Sequence, residues 1–320
     1  MKKILISILA IVVIAIICGL IYVKYFLPNV GAPEDITLNT SMEHIQHGAY
    51  LANHVTVCMD CHSTRDWTKF SGPLIPGTLG KGGAYFGHEA SFPGNFYSKN
   101  ITPAGIKDWT NGEIFRTITT GVNKKGEALF PVMPYANYGK MDREDVMDII
   151  AYIRSLAPIE NAVPVRSIDF PMNFIVNTIP KKATFTKRPP ASDSISYGAY
   201  LTNAASCIDC HTPFEKGKLV MELSFSGGRE FKMPNGLLKS ANITPDQNTG
   251  IGNWSENDFV SRFKSYSNPA NVREMTPKEI NTVMPWTMYS GMDSSDLRSI
   301  YQYLKTLKPI SHKIDHFTYQ

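Results

Sequence analysis

Apolar positions along the chain follow two different patterns. From Ile4 to Val23, twenty consecutive positions carry no charge, close to the ~20 residues a helix needs to cross a bilayer core. Farther along, Val146, Ile149, Ile150, Ile153 and Leu156 form the i, i+3, i+4, i+7 stripe of an amphipathic helix. The same stripe returns 151 positions later at Leu297, Ile300, Tyr301, Leu304 and Leu307.

The stripe is the end of a longer internal repeat. His47-Gly48-Ala49-Tyr50-Leu51 aligns with Tyr197-Gly198-Ala199-Tyr200-Leu201, and Asn100-Ile101-Thr102-Pro103 with Asn242-Ile243-Thr244-Pro245. Trp109 matches Trp254, and Met133-Pro134-Tyr135 matches Met284-Pro285-Trp286, in unbroken order. Each unit reads as an opening helix, a Cys/His motif, a long loop region with one further helix, and a closing helix. Thr40 with Glu43 and Thr110 with Glu113 have capping-box spacing, and Asp142 or Asp293 can cap the closing helices. Between the units, six prolines from Pro158 to Pro190 exclude a helix and predict an extended connector. The division is an anchor over 1–27, domains over 40–158 and 191–311, and a Pro-rich connector over 159–190.

Lys2 and Lys3 precede the apolar segment, so the positive-inside rule leaves them cytoplasmic and sends the remainder of the chain outward. That predicts a single-pass protein of the inner membrane with its domains in the periplasm, joined to the span by a short tether from Pro28 to Asn39. A cleaved signal peptide is the weaker reading, because its apolar part usually runs only ~7 to 15 residues and ends at small residues. Bulky Ile17 before Cys18 likewise weighs against lipid modification.

Composition narrows the function classes. With 32 Lys and Arg against 28 Asp and Glu, the net charge of +4 lacks the basic surface of a nucleic-acid binder. The five cysteines are too few for a disulfide scaffold in 320 residues. The surplus charge sits in the connector, where Arg166, Lys181, Lys182, Lys187 and Arg188 face a single acid, Asp169. Solvation explains such a run, with contact to anionic lipid or a partner as the sharper alternative.

Four cysteines lie in Cys58-Met59-Asp60-Cys61-His62 and Cys207-Ile208-Asp209-Cys210-His211. C-x-x-C-H is the attachment sequence of c-type haem: two thiols add to the porphyrin vinyl groups and the adjacent histidine ligates iron. A thioredoxin-like pair, two disulfides or a shared zinc site all leave the following histidine unexplained. A six-coordinate electron carrier needs a second axial ligand, and thioether sulfur opposite imidazole raises the potential. Among 13 methionines, Met133 and Met284 lie at equivalent points, 71 and 73 residues past His62 and His211, each followed by a helix-blocking proline. The expected cofactors are therefore two covalent haems: one on Cys58 and Cys61 with His62 and Met133, the other on Cys207 and Cys210 with His211 and Met284. Met288 is the rival ligand in the second unit, and His88, in the Gly-rich segment 77–94, the rival in the first. Met141 and Met147 read as core; Trp109 and Trp254 read as pocket walls or core.

These residues resemble the cytochrome c subunits of membrane-bound, periplasm-facing alcohol, aldehyde and gluconate-type dehydrogenases. The likeness lies in Gly198 to Leu201 with Cys207 to His211, in Asn242 to Asp246, in Gly250 to Trp254, and in Leu129 to Tyr135 running into Met141 to Leu156. Those subunits carry three haem modules in a row, and this chain has two. With the duplicated stripes, the resemblance implies an all-α fold of two tandem class I cytochrome c domains after the transmembrane helix. It also implies an electron carrier rather than an enzyme, taking electrons from a periplasmic dehydrogenase toward the respiratory chain. Alternatives are a subunit or donor of a terminal oxidase, and a dihaem enzyme of peroxidase type, which needs an open iron position.

Overall fold

A computed structural model of the chain describes residues 1–319. It opens with α1 (Lys2–Tyr25), a 24-residue helix with no buried residue and a mean hydropathy of 3.4 in its most apolar window, long and apolar enough to cross a membrane. The tether after it is laid against the globule. Asn111 donates to the Ile36 carbonyl at 3.0 Å, and Glu34 pairs with Arg143 at 2.6 Å.

The first repeat holds α2 (Met42–Tyr50), a π-helical turn (Leu51–Val55), α3 (Cys58–His62), β1 (Tyr85–Phe86), β2 (Gly94–Tyr97), α4 (Pro103–Ile106), α5 (Asn111–Thr120), α6 (Tyr135–Tyr138) and α7 (Arg143–Ser155). Then come β3 (Ser167–Ile168) and α8 (Met172–Ile175), so the connector expected to hold no helix carries a strand and a single helical turn that starts just after Pro171, where proline costs a helix nothing. The second repeat holds α9 (Ser194–Ala204), α10 (Cys207–His211), β4 (Phe214–Glu215), β5 (Lys218–Leu219), β6 (Glu230–Met233), β7 (Gly236–Lys239), α11 (Glu256–Lys264), α12 (Trp286–Tyr289), α13 (Ser294–Thr306) and β8 (Phe317–Tyr319). The π turn absorbs one extra residue, which is why the repeat offset falls from 150 at Tyr50/Tyr200 to 149 at Cys58/Cys207.

The all-α expectation is overturned by three small sheets. Two of them are part of the repeat: β1-β2-β3 and β6-β7-β8, with β2 pairing Gly94 to Ile168 and β7 pairing Gly236 to Tyr319. Each third strand comes from chain that follows a closing helix, so an element of the repeat extends beyond residues 158 and 311. Strands of two to four residues show no run of alternation, and their pairing is non-local; nothing in the local pattern announces them.

The helices form where the stripes and caps place them, with corrections at their starts. Thr110 and Glu113 make a reciprocal capping box on α5, and Asp142 caps α7 through the Glu144 N–H. Thr40 does not cap α2: Ser41 is its N-cap, without a side-chain bond, and Asp293 likewise makes none on α13. α2 packs on α7, and α9 on α13. Both crossings are tight enough to demand glycine: a Cβ on Gly48 would lie 1.9 Å from the Asp148 carbonyl oxygen, and one on Gly198 1.9 Å from that of Ser299.

One apolar core runs through both repeats, with Val146, Ile149 and Ile150 at one end and Leu297, Ile300 and Leu304 at the other. The interface carries hydrogen bonds in swapped pairs. Tyr50 donates to Asp296 at 2.6 Å and accepts from the Asp293 N–H; Tyr200 donates to Asp145 at 2.5 Å and accepts from the Asp142 N–H. His54 meets the Met288 carbonyl at 3.0 Å where Asn203 meets that of Asn137 at 3.0 Å.

Candidate functional site

Two equivalent Cys/His motifs are built in the same way. The residue before the first cysteine is left-handed, Val57 at φ 45° and Ser206 at φ 55°, and turns the chain sharply into α3 and α10. A buried tyrosine pins the entry: Tyr138 donates to the Thr56 carbonyl at 2.9 Å, and Tyr289 to the Ala205 carbonyl at 2.8 Å. None of the four motif cysteines forms a disulfide. Loss of hydration pushes the Cys61 and Cys207 thiols up to about 12.

The sheets orient the histidines. His62 Nδ1 lies 2.7 Å from the Lys99 carbonyl just past β2, and His211 Nδ1 lies 2.7 Å from the Ala241 carbonyl just past β7. A carbonyl only accepts, so Nδ1 carries the proton and Nε2 keeps its lone pair, the arrangement in which imidazole ligates a metal. Burial lowers the pKa of both rings, which favours the neutral form. The Asn-Ile-Thr-Pro elements brace the same loops. Asn100 accepts from the N–H and hydroxyl of Thr102 and donates to the Ile159 carbonyl, and Asn242 does the same with Thr244 and Ile310.

Met133 and Met284 are half-buried, packed against the core just before α6 and α12. Met288 is buried in α12, Met141 is fully buried, and His88 is exposed and held by Asp169 at 2.7 Å. Trp109 packs against the core, whereas Trp254 is 37% exposed. Two cysteines, an imidazole with an available Nε2 and a thioether, in each repeat, are a donor set that fits a covalently held haem.

The motifs lie near each other across the repeat interface, where the charge of Asp60 reaches the Cys210 thiol and Asn137 donates to Asp209 of α10 at 2.7 Å. Sequence reasoning missed a third group, Ser71. Fully buried, its Oγ donates to the Met284 carbonyl at 2.7 Å and accepts from the Trp286 N–H at 2.9 Å. Arg65 anchors that turn, with Nη1 on Asp60 at 2.9 Å and donation to the Ser71 and Gly72 carbonyls. A lone serine in a loop carries no pattern that marks it.

Relatives of this chain include cytochrome c subunits of dehydrogenases. It is 28% identical over 293 residues to the cytochrome c subunit of alcohol dehydrogenase (quinone) from Komagataeibacter europaeus, covering 86% of this chain and 58% of that protein. It is 27% identical over 281 residues to the gluconate 2-dehydrogenase cytochrome c subunit of Pantoea cypripedii, covering 82% of this chain and 59% of the other. A diheme cytochrome c-type protein of Cereibacter sphaeroides is 25% identical over 231 residues, 68% of this chain and 73% of its own length. The chain spans a little over half the length of the dehydrogenase subunits it matches. No family model matches it.

Proposed function

We propose that the chain is an electron-transferring dihaem cytochrome c, held in the inner membrane by α1 with its two repeats, 40–158 and 191–311, as haem-bearing domains on the periplasmic side. The observation that carries this reading is the duplicated donor set: a C-x-x-C-H helix whose histidine is fixed through Nδ1, with a methionine loop at the equivalent point of each repeat. A covalently held haem supplies a reversible one-electron couple at its iron. Cys58 and Cys61, and Cys207 and Cys210, would hold the two groups as thioethers. His62 and His211 would supply Nε2 as a ligand, and Met133 and Met284 their sulfur.

With a histidine and a methionine that would both hold each group, the set suits a carrier rather than a peroxidase, which needs an open iron position. Substrate oxidation then belongs to another subunit, and the relatives support a dehydrogenase as electron donor; the respiratory chain is the destination this reading assigns. Each repeat is close to neutral, which gives little long-range steering and favours a stable complex over free shuttling.

Intact mass of the purified holoprotein should show two haem additions; one or none overturns the cofactor reading. Met133→Ala and Met284→Ala should each lower one potential by a substantial share of the ~0.8 V over which axial ligands set haem potentials, and open that iron to carbon monoxide. Spectra and potentials unchanged in both variants would overturn the axial assignment. Affinity capture from detergent-solubilised membranes should bring down a dehydrogenase, and recovery with oxidase subunits alone would reverse the partner assignment.

A further inference from the structure

We propose that the segment from Val165 to Lys182 is a second membrane contact, docked on the anionic surface of the bilayer that α1 crosses. The inference rests on the reading of α1 as a membrane span. The end of that helix is tied to the globule: the pinned tether allows it little reach, and α1 packs against α8 and the Val176–Thr178 turn. Whatever surface adjoins Phe26 to Pro28 is therefore carried to headgroup level.

That surface is apolar and basic. Val165 is 87% exposed, Phe170 80% and Ile175 44%, beside Tyr25 and Phe26 at the helix end. Aromatic residues at such a boundary sit at the level of the headgroups. The backbone that presents Phe170 is ordered: β3 pairs with β2, the Asp169 N–H donates to the Pro93 carbonyl at 3.0 Å, and the Asp169 carboxylate holds His88 at 2.7 Å. A rigid strand end displaying large apolar side chains to water is the mark of a surface with a partner. Between the helix end and the globule lies a cleft of about 430 Å³, lined by Lys24, Phe26, Lys125, Glu127, Arg166 and Asn177. Lys181 and Lys182 follow as exposed cations. Basic residues next to a span attract anionic headgroups, and an apolar insertion combined with a basic cluster gives the two signals that stable surface binding needs.

The contact would give the first repeat one orientation over the membrane, because β2 both pairs with β3 and leads directly to the Lys99 carbonyl that fixes His62.

The test uses the full chain in nanodiscs of phosphatidylcholine with phosphatidylglycerol, carrying p-benzoylphenylalanine at position 9 in α1, at 170, or at 214 on the second repeat. Phe170 and Phe214 are exposed, so neither replacement disturbs a core. On irradiation, positions 9 and 170 should give lipid adducts by mass and position 214 none. No adduct from position 9 would overturn the span reading itself. Adducts from 9 without any from 170, or equal adducts from 170 and 214, would overturn the docking alone. Lys181→Glu with Lys182→Glu should cut the 170 adduct several-fold, and an unchanged yield would overturn the electrostatic half of the inference.

Discussion

Met133 and Met284 stand at the same point of their repeats and are held differently. Both loops share one internal bond, from the Tyr135 N–H to the Met133 carbonyl and from the Trp286 N–H to the Met284 carbonyl. Beyond it, the Met284 loop is clamped by the other repeat: Ser71 bonds on both sides of Pro285, Asn281 accepts from the Ser71 N–H at 2.9 Å, and Asn281 donates to the Lys69 carbonyl at 2.8 Å. Among the described residues, no hydrogen bond from the second repeat reaches residues 128–134. Duplication supplied two copies of a donor set, and the packing of one copy on the other made them unequal. A hydrogen-bonded path runs from Asp60 in the first motif through Arg65 and Ser71 to Met284; in the opposite direction position 214, equivalent to Arg65, is a phenylalanine, and Asn137 links Asp209 to the Pro134 carbonyl without reaching Met133.

The largest expected effect tests where the repeats are alike. Gly48→Ala and Gly198→Ala each drive a methyl group into a backbone carbonyl, a clash that cannot relax by rotamer change, and each should cost about 3 kcal/mol. Thermal unfolding of both variants measures this. A large loss at one glycine and none at the other would break the equivalence of the two helix crossings.

Next come the swapped tyrosines. Tyr50→Phe and Tyr200→Phe each remove a bond to a buried carboxylate, worth roughly 1.5–3 kcal/mol. Asp145 keeps Arg188 at 2.8 Å, whereas Asp296 has no such cation among the described residues. Denaturant melts should therefore find Tyr50→Phe the more damaging, and the reverse order would show that Arg188 contributes nothing at Asp145.

Ser71→Ala sharpens the comparison directly. It removes the hydroxyl shared by the Trp286 N–H and the Met284 carbonyl and leaves them only their bond to each other, at about 1 kcal/mol, which corresponds to a roughly fivefold easier displacement of Met284 by imidazole under the haem reading. The measurement is an imidazole titration followed at the methionine-to-iron charge-transfer band, with Ser71→Thr restoring the hydroxyl. The first haem should titrate as before; equal sensitivity of both would remove the clamp from the account.

The smallest effect is a pH dependence confined to the first crossing. His44 Nδ1 lies 2.6 Å from Asp148, and that bond, with the charges of Asp148, Glu43 and Glu144, raises its pKa above the ordinary value. The equivalent positions of the second repeat, Ser194 and Ser299, do not titrate. A folded-state pKa above the unfolded one gives stability that is complete below about pH 6.5 and fades as the pH rises through the raised value. His44→Gln should flatten that slope slightly in melts across neutral pH, and an unchanged slope assigns it to another group.

Much of the molecule was legible before its structure. The apolar helix α1, the stripes of α7 and α13 and the Thr110 capping box follow from local pattern, because a helix satisfies its own backbone and its signature lies within a few turns. The one-residue slip in the repeat offset was visible too, though not that a π turn absorbs it. What sequence by itself determined was thus local: which segments are helical, and that the same Cys/His motif occurs twice. The tertiary structure alone decided the rest. The third strand of each repeated sheet is drawn from beyond a closing helix, and the carbonyls that orient His62 and His211 lie 37 and 30 residues away from them. Ser71 meets Met284 across 213 residues. Backbone carbonyls and single hydroxyls bear no pattern of their own; their role arises only when folding brings them within hydrogen-bond reach of a group far along the chain.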